Sequence, residues 1–130
     1  MSHGGRYSER VRSLFETLPG AGPLPDGAGQ PVTGEAIALD RGAWVRFEAR
    51  IQEGRYVACS FRVWGCPHVL AAAAHTAARL SGSSVGGEDR CDARELIATL
   101  GAPVEKLGRL LVLEDAHSGL LAAARAVQSG

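Results

Sequence analysis

Two alternating segments joined by three residues constrain this chain more than any other feature. Val45, Phe47, Ala49 and Ile51 alternate with Trp44, Arg46, Glu48 and Arg50. A period of two is that of a strand with one buried face. Gln52-Glu53-Gly54 follows, polar and glycine-containing, as a tight turn requires. The return segment Tyr56–Trp64 places Val57, Cys59, Phe61 and Val63 on one face. Strands joined this closely pair antiparallel, because a parallel pair needs a long crossover.

The rest of the chain arranges itself around that hairpin. Val11, Leu14, Phe15 and Leu18 recur at helical spacing, with Ser8 as N-cap and Pro19 as stop, predicting a first helix. Pro19 to Gly34 is rich in proline and glycine and reads as a long loop. Glu35 to Leu39 is expected as a short strand. After the hairpin, Gly65-Cys66-Pro67 marks a change from strand to helix, with Pro67 suited to the first helical position. Val69, Leu70, Ala73, Ala77 and Leu80 form that helix's apolar stripe, Gly82 ends it, and Ser81 to Gly87 is a loop. Asp92, with Glu95 three residues on, opens a further helix that stops at Gly101. Pro103 opens the last region, where Leu110, Leu113, Ala116, Leu120, Ala123 and Val127 make a stripe and Gly119 marks a kink. The order α-β-β-β-α-α-α predicts an α+β fold, a small three-stranded antiparallel sheet with helices packed on one face.

A length of 130 residues fits a single domain over 1–130 with an adequate core. Fourteen basic and fourteen acidic residues cancel, and no basic stripe points to nucleic acid. Three cysteines do not suggest a disulfide framework; reduced thiols in the cytoplasm are expected. The start Met1–Arg6 has no apolar signal-peptide core, and no apolar run is long enough to span a membrane. No Ser-His-Asp set, phosphate loop or carboxylate pair argues for an independent enzyme.

The chemistry gathers at Cys66, where free N–H groups and the helix macrodipole favour a thiolate. Such a thiol can accept a persulfide sulfur and pass it on; the alternative is a small apolar residue packed under a turn. Cys59 reads as core and Cys91 as a loop residue. His68 is either a ligand or acid–base partner of Cys66 or a solvent-facing first-turn residue. His75 reads as a surface helix residue. Trp44 and Trp64 read as packing residues.

Several stretches resemble the IscU/NifU-type iron–sulfur cluster scaffold family along nearly the whole chain. Tyr7-Ser8-Glu9-Arg10-Val11 is similar to the family's Tyr-Ser-x-x-Val start, and Phe61–Cys66 to its Phe-x-x-aromatic-Gly-Cys segment. Pro103 and Lys106 fall on its Pro-Pro-Val-Lys chaperone motif, from which Ala102, Val104 and Glu105 depart. Glu114-Asp115-Ala116 matches the Glu-Asp-Ala of its last helix. The resemblance implies a cluster bound by three cysteines helped by an aspartate and a histidine, and a cysteine desulfurase or chaperone as partner. Of the cysteines only the middle one is present, as Cys66. The first, from a Cys-Gly-Asp turn, falls at Arg41-Gly42-Ala43. The third falls at Arg109, which keeps Lys106 and Glu114 in register, or, in a shifted register, at Ser118 after His117. Arginine has no lone pair to offer iron, so a cluster or iron would need other ligands, such as His68, His75 or a second subunit's Cys66. Arg41 and Arg109 would instead form a cationic pocket that lowers the thiol pKa and binds anions. Three functions follow as expectations: a scaffold-like accessory protein of cluster assembly unable to hold a cluster alone, a SufE-like carrier of a persulfide on Cys66, or a non-catalytic regulatory or interaction domain.

Overall fold

The computed structural model describes residues 20–86 and 91–129. The expected first helix, the Tyr7–Val11 stretch and the run Gly87–Arg90 lie outside the described residues.

Strands β1 (Gln30–Ala38), β2 (Ala43–Gln52) and β3 (Arg55–Trp64) form an antiparallel sheet in the order β1-β2-β3. Helices α1 (Pro67–Leu80), α2 (Ala93–Leu100) and α3 (Leu107–Ser129) follow, with 3-10 turns at Leu39–Arg41 and Val104–Lys106. This is the expected α+β architecture. Gln52 faces Arg55 across the hairpin, and the two residues between them, Glu53 and Gly54, have φ of 52° and 76°. Positive φ at both central positions is what a type I′ turn requires, and that turn matches the twist of the strands it joins.

One side of the sheet is the core. Ala43, Val45, Phe47, Ala49 and Ile51 of β2 all point into it. Their partners on β3 are Val63, Phe61 and Cys59, as the alternation predicts, but the pattern breaks at the next position. Arg50 pairs with Ala58 and Ile51 with Tyr56, so Val57 is an extra residue in a β-bulge. The bulge moves Tyr56 into the core at 0% exposure and leaves Val57 45% exposed. The expected place of Val57 on the inner face is thereby corrected.

β1 begins five residues before the expected Glu35, inside the stretch read as loop. Pro31 and Gly34 look like loop residues, yet both have a place in this strand. β1 is an edge strand, where the N–H that proline lacks is least missed. At Gly34 a Cβ would collide with the Ala116 carbonyl oxygen and Leu120 amide of α3, which crosses β1 here with Gly119 at the contact. Gly119 lies within one uninterrupted helix, so its role is close approach rather than the expected kink. Leu39 falls in the 3-10 turn after β1.

α3 lies over β1 and β2 and α1 over β3, on the same face of the sheet. α1 is buried more widely than its predicted stripe, because Ala71 to Ala74 are all enclosed between β3, α2 and α3. α2 has the expected ends: Asp92 accepts from the Arg94 and Glu95 amides at 2.9 and 3.2 Å, and Gly101 closes it with φ 64°. The free edge of β3 is covered at two places. Phe61 exchanges backbone bonds with Gly20 and Gly22, and Tyr56 with Gly82 and Ser83.

Candidate functional site: a thiol at a helix N-terminus beside Arg109 and Lys106

β3 ends at Trp64, and Gly65 turns the chain into α1. A Cβ at Gly65 would stand 3.1 Å from that of Val69, so the tight entry favours glycine. Cys66 is the N-cap of α1, extended at φ −77° and ψ 167°, and its carbonyl accepts from the Val69 and Leu70 amides at 2.9 and 3.1 Å. Its thiol is half-buried and free.

Two effects compete at the sulfur. Burial pushes the thiol pKa up. The Val69 N–H, the Arg109 guanidinium, the His68 N–H and the Lys106 ammonium, in that order, pull it down and together outweigh burial. Cys66 therefore sits below the usual thiol range. Its side chain makes no capping hydrogen bond; the surrounding donors are suited to the thiolate, the form that is nucleophilic.

The sequence-predicted residues sort themselves around this point. Arg109, in the first turn of α3, acts directly on the sulfur. Ser118 is exposed and lies nine residues on, roughly 13 Å further along the helix. Of the two positions left open by the sequence, Arg109 is the one beside Cys66. Arg41 closes the 3-10 turn after β1 and lies against Gly108, the neighbour of Arg109; a Cβ there would collide with Arg41 Nη1. It is not among the groups acting on the sulfur.

His68 is only 3% exposed, which corrects the solvent-facing alternative. Its backbone N–H acts on the sulfur, while burial and the Lys106 charge hold its imidazole below the usual histidine range. The ring is thus neutral near pH 7 and adds no positive charge to the site. His75 is half-buried on α1, and His117 is buried on α3. Cys59 is in the core. Cys91 is packed against Thr76, Oγ1 to Sγ 4.0 Å, and its pKa is pushed up to about 12 chiefly by burial. Among the described residues, no three Cys, His, Asp or Glu side chains converge to hold a metal ion.

Two contributors were not legible. Lys106 is recognisable in the sequence only as part of a motif, yet its ammonium bears on the thiol. Glu114 accepts from the Ala93 amide at 2.7 Å and so ties α3 to the N-terminus of α2; a pairing 21 residues apart leaves no periodic signal. On the outer face of the sheet, Ile37, Trp44 and Trp64 stand in one cross-strand row, with Trp64 60% exposed, which qualifies the packing role expected for it.

No family profile matches the chain, and no curated protein matches it. Solved structures do. A nitrogen-fixing NifU-like protein (N-terminal) from Brucella abortus superposes with a TM-score of 0.61 at 12% identity, covering 94% of each chain. An iron–sulfur cluster assembly scaffold protein for the SUF system from Fervidobacterium islandicum AW-1 gives 0.55 at 16% identity, covering 97% of this chain and 98% of that one. The chain therefore has the fold of NifU-like and SUF-type scaffold proteins, as the motif resemblance predicted.

Proposed function

We propose that this protein is an accessory protein of iron–sulfur cluster assembly that carries sulfur on Cys66. The observation that carries the reading is the setting of this thiol: a half-buried sulfur at a helix N-terminus, with two backbone N–H groups, Arg109 and Lys106 lowering its pKa. The fold likeness supplies the context of cluster assembly.

The step is a thiol exchange. The Cys66 thiolate attacks the terminal sulfur of a persulfide R–S–SH, the donor's S–S bond breaks, and R–S⁻ leaves. Cys66 then holds S–SH, and attack by an acceptor thiol returns the thiolate, with no net oxidation. Arg109 and the amides stabilise negative charge on the sulfur throughout. The protein acts as a stoichiometric carrier rather than an enzyme, in the reducing cytoplasm, where Cys66 stays free. A cysteine desulfurase is the expected donor, and a chaperone a further partner. One chain holds no cluster on this reading, because the groups nearest Cys66 are cations rather than further thiolates.

Incubation with a cysteine desulfurase and cysteine, followed by intact-mass measurement, should show about one added sulfur, removed by reductant and missing in Cys66→Ser. A chain left unmodified by this and by other persulfide donors overturns the reading. Anaerobic reconstitution with iron and sulfide should give no stoichiometric visible absorption; a full cluster on the monomer contradicts the ligand argument.

A further inference from the structure

The outer face of the sheet, away from the helices, carries an apolar row at one end. Ile37, Trp44 and Trp64 are cross-strand neighbours there. Ile37 is 59% exposed and Trp64 60%, and Leu39, on the turn just after β1, is 77% exposed. Large apolar side chains gathered on one exposed face mark an interaction surface. The next row on the same face is charged: Glu35 on β1, Arg46 on β2 and Arg62 on β3. Arg46 has two carboxylates, Glu48 at 3.4 Å and Glu35 at 3.9 Å. Glu35 also accepts from Trp44 Nε1, yet its side chain stays 47% exposed. Arg62 is exposed, and among the described residues no carboxylate lies at ion-pair distance from it.

These two rows fit a second copy of themselves in one arrangement. A two-fold axis running along β2 lays β1 of each copy over β3 of the other. Glu35 of each copy then meets Arg62 of the other, Ile37 meets Trp64, and Trp44 meets Trp44 at the axis. Arg46 meets its own counterpart, a repulsion that Glu48 and Glu35 offset within each copy. A two-fold axis across the strands lays each strand over its own copy and brings no opposite charges together. We infer that this face is the contact of an isologous dimer, in which two sheets stack outer face to outer face. The face is three strands wide, about 14 Å at the usual strand spacing. So small a contact makes a weak dimer, with a Kd on the order of 10 µM.

Sedimentation velocity on the full chain tests this, with reductant present so that no disulfide contributes. Over about 1–500 µM, a range that brackets the expected affinity, the wild type should pass from monomer to dimer. Trp64→Ala should weaken the dimer about tenfold or more. Arg62→Glu sets two carboxylates against each other at both ends of the row, and Glu35→Arg sets two guanidiniums there. Each alone should also weaken the dimer about tenfold or more. An equimolar mixture of the two single variants should dimerise again, as a pair with one chain of each, because every contact then regains opposite charges. Circular dichroism checks that each variant is folded. Arg62 is exposed and unpaired in the monomer, so Arg62→Glu decides the matter even where Glu35→Arg disturbs the fold. A wild type that stays monomeric throughout overturns the inference, as does a dimer unmoved by both Trp64→Ala and Arg62→Glu. Folded single variants that stay monomeric when mixed overturn the axis along β2.

Discussion

At Cys66 the outcome depends on which of two opposed effects wins. Burial disfavours the thiolate; four donors and cations favour it, and they prevail. Cys91 has the same chemistry with the balance reversed, since burial dominates there. The thiolate is therefore easier to form at Cys66 than at Cys91. Replacing Arg109 with Gln removes one of the favourable contributions and should slow alkylation of Cys66 at pH 7 by roughly three- to tenfold, the effect of about 0.7–1.4 kcal/mol for a partly exposed charge-assisted contact. Arg109→Lys should recover part of the rate, since the charge returns without the planar fork. Stopped-flow kinetics measure both. The position of Cys66 was legible in the sequence, from the glycine before it and the proline after it. Arg109 was legible only through the family resemblance, because a residue 43 positions away gives no local signal of contact.

Among the elements, the hairpin was readable and its bulge was not. Alternation assigns Tyr56 and Val57 to opposite faces but does not say where an extra residue enters the ladder. The early start of β1 was hidden for a different reason. Pro31 and Gly34 argue against a strand locally, and tertiary context reverses both arguments: an edge position for the proline and a crossing helix for the glycine. That reversal is testable. Gly34→Ala places a methyl group against the α3 backbone, which has no flexible side chain to give way. Unfolding in urea should show a loss of about 1–3 kcal/mol or more. At the hairpin, Glu53 holds a left-handed backbone that glycine or asparagine adopts more readily. Glu53→Asn should leave stability unchanged or raise it by several tenths of a kcal/mol, up to about 1 kcal/mol.

For the molecule as a whole, α3 connects the parts. It covers β1 and β2, ties α2 through Glu114, and opens with the arginine that faces Cys66. No helix among the described residues is long and apolar enough to cross a membrane. Global stability should also carry the signature of the buried thiol. Cys91 ionises near pH 9.0 when unfolded and at about 12 when folded. The folded state thus binds more protons in that interval, and stability present below pH 9 declines as pH rises toward 12. Melting temperature should fall more steeply over this interval in wild type than in Cys91→Ala. The central claim, that backbone donors and cations of the fold lower the pKa of Cys66, is tested most directly by the pH profile of Cys66 alkylation, read by mass at each pH. The account predicts a midpoint below the ordinary thiol value of 9.0. A midpoint at or above 9.0 in the folded protein would contradict it.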